Sequence, residues 1–471
     1  MPTGPPSATP KPEPSPTTTG CGYQCPAAQY LASNYSTVTS RLSRDNAIRR
    51  PRGGRPTAPG EPRHADPVER RGVDVVIRTI EPPEVEACSR AASLAFSQPF
   101  DKERFEAGLD TVEPDRTLAA WEGATVVATA GASTFRLSVP GGHLGAAGVR
   151  GVGVVPTHRR RGLLTGLMRR QLDDVRGRGE PLACLWASES RIYRRFGYGL
   201  AVLGLGWEAT RATADFVPGI PVHLPVRLAD DGEIRTAMTE VHERLWRTRP
   251  GMVDRSPAWV DYRLRRRGDL SHALVDGPSG VEAYASYQVS PGWGVGGPEH
   301  ELSVAEALAV TPEAEGTIWR FLLDTDLVRT VRAGFRPSDE PLAWMLADTQ
   351  ALRRRVTDAL WVRLVDIELA LSGRRYPADV QMVLEVSDAF CPWNEGRWLV
   401  EGGPDGARCT RTTKQPHLSL DTADLAATFL GGVGVGPLVR AGRITERAPG
   451  AAAHAHRALA WDPPPWAVTF F

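Results

Sequence analysis

Lysine is almost missing from this chain. Only Lys11, Lys102 and Lys414 stand among its 56 basic residues, and the rest are arginine, the mark of a GC-rich coding bias rather than of a chemistry. Net charge is nearly absent too: 56 cations against 55 anions leave +1, so no global field draws the chain to nucleic acid or to a membrane, and any basic site must be local. No apolar run approaches the ~20 residues of a membrane span, and the N-terminus lacks the basic head and apolar centre of a secretion signal. A cytoplasmic location is expected. The six cysteines, Cys21, Cys25, Cys88, Cys184, Cys391 and Cys409, show neither disulfide-framework nor zinc spacing, and no metal is expected.

What is present is the material of an ordinary core. With 41% hydrophobic and 24% charged residues over 471 positions, the chain has room for about three compact units of ~150 residues. Residues 1–72, rich in Pro, Ser, Thr, Gly and Arg, show no sustained apolar period and are expected to be disordered; a start near Val73 would leave them out of the native protein. Order begins at VDVVIRTI, a β-branched run read as a first strand, followed by the helically spaced Val85, Cys88, Ala92 and Ala95. TLAAWEG, ATVVATAGAST and HLGAAGVRGVGVV then read as strands parted by glycine turns. Past Val155 the period changes, and Leu164, Leu167, Met168, Leu172 and Val175 share one helical face. A strand, PLACLWAS, and a short aromatic helix, SRIYRRFGYG, complete the unit.

The informative stretch is VPTHRRRGLLTGL, which feeds three arginines and a glycine into that amphipathic helix. Backbone N–H groups at a helix start lack intrahelical partners and sit at the positive end of its dipole. Cations there are unfavourable unless an anion lies between them and the helix. Gly162 permits close approach, and Arg160 and Arg161 add charge-assisted hydrogen bonds, so the turn suits a pyrophosphate. The three spaced glycines of a dinucleotide fingerprint and the Gly-Lys-Ser/Thr of a Walker loop are both absent. His158 reads as a surface residue. Farther on, ALAVTPEAEGTIWRFLLDTDLV resembles a worn copy of the same block: setting Pro312 on Pro156 puts Glu315 opposite Arg159 and Ile318 opposite Gly162. A duplicated unit that keeps the scaffold without the site is expected over 218–359. The remainder, with strands in QMVLEV and RWLVEG and a helix in TADLAATFL, reads as a third, α+β unit over 360–471.

The block GVGVVPTHRRRGLLTGLM followed by LWASESRIYRRFGYG resembles the GNAT superfamily of N-acetyltransferases, and within it the Eis-type enzymes of actinobacteria. The pattern Arg/Gln-x-x-Gly-x-Gly/Ala is met by Arg159 and Gly162, with Leu164 in place of the last small residue, a departure that Eis-like sequences share. The resemblance implies an α/β fold of tandem GNAT-like domains, a catalytic one over 73–217 and a degenerate one over 218–359, followed by a sterol-carrier-protein-like domain.

It also implies a mechanism. Acetyl-CoA would be the donor, its pyrophosphate held by Arg160, Arg161, Gly162, Leu163, Leu164 and Thr165. Val152, Gly153 and Val154 would aim backbone N–H groups at the acetyl oxygen, with Gly151 and Gly153 hinting at a bulge that splays the strand. Ser188 and Glu189 would border the donor. Tyr193 would protonate the leaving thiolate, a phenol near pKa ~10 matching it in basicity, while Phe196 and Tyr198 read as core. The base would be the terminal carboxylate of Phe471, threaded back to the first domain. At an ordinary pKa of ~3.3–3.7 such a group is a weak base unless desolvated, which the rings of Phe470 and Phe471 could supply. The acceptor would be a primary amine of an aminoglycoside, a lysine or a peptide, although the last residues offer no acidic side chain for a polycation. A homohexamer, a trimer of dimers, is implied, with no nucleic-acid or membrane partner. The alternative class is an apolar-ligand carrier working through the third unit.

Overall fold

The computed structural model describes residues 75–266 and 269–471; the expected disordered segment 1–72, with Cys21 and Cys25, lies outside the described residues. Strand β1 (Val75–Thr79) is followed by helices α1 (Val85–Ala95) and α2 (Lys102–Gly108). Then come β2 (Leu118–Glu122), β3 (Thr125–Val139) and β4 (Gly142–Val154), helix α3 (Leu163–Gly177) and β5 (Leu182–Trp186). All but α2, which the periodicity does not predict, lie where it places them. The buried face of α3 is Leu167, Met168, Gln171, Leu172 and Val175; the polar intruder, Gln171, donates its Nε2 to the Gly131 carbonyl at 3.0 Å, which satisfies one side of its amide on burial.

The first sheet has seven strands in the order β1, β2, β3, β4, β5, Leu360–Leu364, Gly199–Leu200. A second seven-stranded sheet runs Leu352–Asp358, Leu203–Thr210, Val328–Arg336, His300–Ala309, Gly280–Ser290, Ser271–Gly277, Val226–Leu228. In both, a long central strand pairs in parallel with the strand after its helix: β4 with β5, and His300–Ala309 with Val328–Arg336. The expected duplication is present as architecture. The unit boundaries differ from the expected 217 and 359, because the two sheets exchange strands. Leu203–Thr210 already belongs to the second sheet, and Leu360–Leu364 returns to the first, between β5 and Gly199–Leu200. Backbone bonds pin this crossing, with Ala201 and Val202 N–H donating to the Leu360 carbonyl at 3.0 and 3.1 Å.

The third unit is a five-stranded sheet, Gly406–Arg411, Gly396–Gly403, Val380–Ser387, Leu418–Asp421, Ile444–Glu446, with helices Ile367–Ser372, Thr422–Thr428, Val435–Arg440 and Ala451–Leu459. It is fused to the first sheet: one apolar cluster runs from Phe135, Leu137 and Cys184 through Val362 to Met382, Phe429 and Leu459. Its interior also holds Arg374, fully buried, whose guanidinium donates to the carbonyls of Phe429 and of Leu459. Three ion pairs, made by two arginines, bridge the same boundary. Arg363 meets Asp388 at 2.5 Å with both side chains buried, and Arg194 reaches Asp421 at 2.6 Å and Asp424 at 2.9 Å. Among the described residues no helix is long and apolar enough to cross a membrane, and Cys88, Cys184, Cys391 and Cys409 are buried free thiols.

Removing one member of a buried pair leaves the other charge uncompensated, at a cost of about 3–5 kcal/mol. Asp388→Ala is therefore expected to lower the denaturation midpoint strongly in thermal or urea melts, whereas Asp326→Ala, removing the exposed partner of Arg211 on the surface, is expected to shift it by well under ~1 kcal/mol.

Candidate functional site

Between the end of β4 and the start of α3 the backbone makes two left-handed steps. Pro156–His158 form a single tight turn, Arg160 takes φ 63° and Gly162 φ 83°, and α3 begins at Leu163. Glycine adopts that conformation without cost, and an arginine does not, so Arg160 marks a strained position held by its surroundings. No side chain caps α3; its first N–H groups, at Leu163 and Leu164, have no intrahelical acceptor. Of the three arginines, Arg159 is an anchor, donating to the Ala95 carbonyl at the C-terminal end of α1 at 2.7 Å and to the Val154 carbonyl at 3.2 Å. Arg160 is exposed and Arg161 lies 3.7 Å from Glu122. His158, read as a surface residue, is largely covered and bonds Glu122 at 3.2 Å. The turn thus offers what an anion needs, namely N–H groups at a positive dipole end flanked by two exposed guanidiniums.

The strand leading into it is splayed as expected. The β4–β5 ladder stops at Val149 opposite Leu185, yet β4 continues to Val154. On its other edge β4 carries a bulge: the register with β3 shifts between Thr129 and Gly131, Gly151 takes φ 59°, and the Thr129 hydroxyl donates to the Gly151 carbonyl at 2.7 Å. Val152, Gly153 and Val154 therefore run beside a gap where β5 has diverged, with backbone donors on that edge unclaimed by a ladder.

The chain's last residues dock against this gap. Trp466 donates its indole N–H to the Phe335 carbonyl at 2.6 Å, Trp186 donates to the Thr469 carbonyl at 3.0 Å, and Arg255 donates to the Thr469 hydroxyl at 2.9 Å. Arg255 is itself held by buried Glu306 at 2.8 and 3.0 Å, and Arg255 with Arg263 keeps that carboxyl well below the usual carboxylate range despite burial. Phe470 packs on Trp186 at 5.3 Å. The Phe471 ring packs on Phe135 at 5.0 Å, beside Gly148, whose missing side chain makes room chiefly for the Phe135 ring and also for Phe471. Phe470 and Phe471 close one end of a cavity of about 260 Å³. Its walls include Phe96, Arg104 and Phe105 around α1 and α2, Thr129, Arg150 and Gly151 on the bulged strands, and Trp259, Tyr262 and Arg266 from the second unit.

The structure places Val152, Gly153 and Val154 at the end of β4 and the turn from Arg160 through Arg161, Gly162, Leu163 and Leu164 to Thr165 directly after it, while Phe471 lines the cavity together with Arg150 and Gly151, just before them in β4. Ser188 and Glu189 are exposed at the open end of β5. Tyr193 is on the opposite face of the sheet from Phe471: it is 5% exposed, packs with Val149, Leu185 and Met168, and meets Tyr198 edge-on at 5.9 Å. It does not line the cavity. Phe196 and Tyr198 are core, as expected. Missed altogether were Trp259, Tyr262 and Arg266. They lie on or just past the helix Pro257–Arg265, some hundred residues from the turn in sequence, and no spacing signal ties them to it. In the worn copy the turn is gone. The helix Pro312–Asp324 starts at Pro312, the Thr311 side chain caps it by accepting from Ala314 N–H at 3.3 Å, and Ile318 is buried inside. Glu315, opposite Arg159, is raised to about 7 by burial and Glu340.

Comparison with known proteins agrees with this geometry. Residues 76–201 and 251–364 each match an acetyltransferase (GNAT) domain family, and 367–468 match a sterol carrier protein domain. An uncharacterized N-acetyltransferase of Streptomyces avermitilis is 42% identical over 75% of this chain and 89% of its own. The N-acetyltransferase Eis of Mycobacterium tuberculosis is 33% identical over 70% of this chain and 81% of its own. The crystal structure of Eis1 from Mycobacterium abscessus superposes with a TM-score of 0.74 at 32% identity, covering 84% of this chain and all of that one. Fold and relatives together define the class: an N-acetyltransferase of two GNAT domains and a sterol-carrier-type domain. Within it the chain belongs to the Eis-type acetyltransferases of the GNAT superfamily, whose acetyl donor is acetyl-CoA.

A methyl group at Gly162 meets open space but not an allowed backbone, so the cost falls on the turn's shape. With strain of about 1–3 kcal/mol, Gly162→Ala is expected to weaken acetyl-CoA binding by roughly tenfold or more in calorimetry while leaving the circular dichroism spectrum unchanged.

Proposed function

We propose that the chain transfers the acetyl group of acetyl-CoA to a primary amine in the gap between β4 and β5, with catalysis confined to the first unit. The observation that carries this reading is the arrangement around the end of the ladder. Gly148 faces Phe471 on one side of the sheet, and Val149 packs with Tyr193 on the other. A thioester lying in the gap would have a base on its acceptor side and an acid on its donor side.

Arg160, Arg161 and the N–H groups of residues 162–165 take the pyrophosphate. Ser188 and Glu189 border the donor's course along β5. Backbone N–H groups of Val152, Gly153 and Val154 stabilise the negative charge that develops on the acetyl oxygen. The terminal carboxylate of Phe471 removes the ammonium proton, and the freed nitrogen attacks the carbonyl carbon. A carbon–nitrogen bond forms and the nitrogen of the tetrahedral adduct gives its second proton to water; the carbon–sulfur bond breaks, the sulfur takes the phenolic proton of Tyr193, and the water passes the nitrogen's proton to that phenolate, while the proton on the Phe471 carboxylate leaves to solvent. The rings of Phe135, Trp259 and Phe471 exclude water from the acceptor side. The carrier alternative has no comparable support, since the third unit's interior is occupied by Leu384, Phe429, Leu459 and Arg374.

Two changes test the roles directly. Tyr193→Phe is expected to lower kcat by about 10²-fold or more, the usual share of a general acid, with acetyl-CoA affinity unchanged; an equal loss of affinity would reduce Tyr193 to a packing residue. Extending the chain beyond Phe471 by two glycines replaces the carboxylate with an amide and is expected to abolish thiol release from acetyl-CoA in the presence of amines, whereas undiminished turnover would remove the carboxylate from the mechanism.

A further inference from the structure

The cavity beside the chain terminus has the wrong charge for a polycation. Its cationic side chains are Arg104, Arg150 and Arg266, and its acidic one is Asp101. Asp101 is engaged in capping α2, accepting from the Arg104 backbone N–H at 3.0 Å. A carboxylate at Phe471 still leaves the cations in excess.

The three arginines arrive from three elements, α2, β4 and the end of the helix Pro257–Arg265, which ordinary surface patterning does not arrange. They converge on Tyr262. Burial alone would raise its phenol, but Arg266, Arg104 and Arg150 outweigh burial and bring it below the usual tyrosine value, Arg104 also by a hydrogen bond. The aromatic walls orient them. Arg150 lies over the Trp259 ring at 5.3 Å and donates to the Thr111 hydroxyl at 3.1 Å, and Arg266 lies over the Phe470 ring at 5.4 Å. A guanidinium can hold an aromatic face and a planar anion at the same time, which a lysine cannot. Each further ammonium on an acceptor would instead meet a repulsive field in a partly desolvated space, a penalty that discriminates as effectively as attraction.

Resting on the acetyl-transfer reading, we infer that the acceptor is a primary amine that also carries a carboxylate, held with its amine toward Gly151 and Phe471 and its anion toward Arg104, Arg150 and Arg266. Polyamines and aminoglycosides, with several ammonium groups and no anion, are selected against by the same residues.

A matched series tests this on the full chain: 4-(2-aminoethyl)benzoate, its neutral amide, and the diamine 4-(2-aminoethyl)-N,N-dimethylbenzylamine, whose tertiary ammonium cannot be acetylated, so that each offers one acceptor amine and the remote group sets the charge. The expected order of kcat/KM is carboxylate, amide, diamine, with the first step about tenfold or more, the worth of one charge-assisted hydrogen bond. Arg150→Gln and Arg266→Gln are each expected to raise KM for the carboxylate by a similar factor while leaving kcat, acetyl-CoA affinity and the constants for the neutral amide unchanged. Arg266→Lys should recover part of the loss. The unchanged amide constants also establish that the variants are folded; should either variant fail to fold, Arg104→Gln, on the half-buried cavity side of α2, gives the same readout. A flat or reversed order, or arginine variants that lose acetyl-CoA affinity equally, would overturn the inference. Its failure is separable from that of the transfer reading. Calorimetric binding of the carboxylate that depends on these arginines, without acetylation of any amine, would sink the chemistry and keep the pocket; acetylation of the diamine in preference to the carboxylate would do the reverse.

Discussion

The site depends on one interrupted hydrogen-bond ladder. Two parallel strands that pair from Ala146 to Val149 and then separate leave backbone donors on β4 that no neighbouring strand claims. Buried polar backbone without a partner is costly, so such a gap persists only where something else is set to fill it. The positive φ at Gly151 and the register shift opposite Thr129 are how β4 turns away without breaking its pairing with β3. The same few residues lead, through a strained Arg160 and a left-handed Gly162, to the open end of α3. One local departure from regular sheet therefore leaves both an unpaired strand edge and an uncapped helix start within a few residues of each other.

Packing then surrounds this gap with parts of the chain remote in sequence. The third unit shares an apolar cluster with the first sheet, and the strand Leu360–Leu364 lies beside β5. These contacts fix where the last residues emerge. Trp186, Arg255 and the Arg255–Glu306 pair hold Thr469, and Phe471 comes to rest on Phe135. The duplicated unit contributes no second turn, because Thr311 caps its helix directly; what it contributes is the wall of Trp259, Tyr262 and Arg266. The second unit thereby shapes the cavity beside the end of β4.

Local patterning made much of this legible. The helical face from Leu167 to Val175, the strands of the first sheet and the arginine-glycine turn all announce themselves through period or through a conflict with the helix dipole, and the bulge was foreshadowed by Gly151 and Gly153. The strand exchange was not legible, since nothing local in Leu203–Thr210 or Leu360–Leu364 says which sheet they join and only tertiary packing assigns them. Nor was the division of labour among the three arginines. Arg159 serves the scaffold because the carbonyl end of α1 happens to lie within its reach, a fact of three-dimensional proximity. The cationic wall was invisible for the same reason, its members lying on separate elements in a chain where arginine is common everywhere.

The central claim is that unclaimed backbone donors at the end of β4 and the start of α3 hold the acetyl donor, and amide hydrogen exchange measures that most directly. Adding acetyl-CoA to the intact chain should slow exchange at residues 152–154 and 163–165 well beyond the change elsewhere, because those N–H groups acquire acceptors. Exchange slowed only at other segments, or unaltered at saturating donor, would contradict the account.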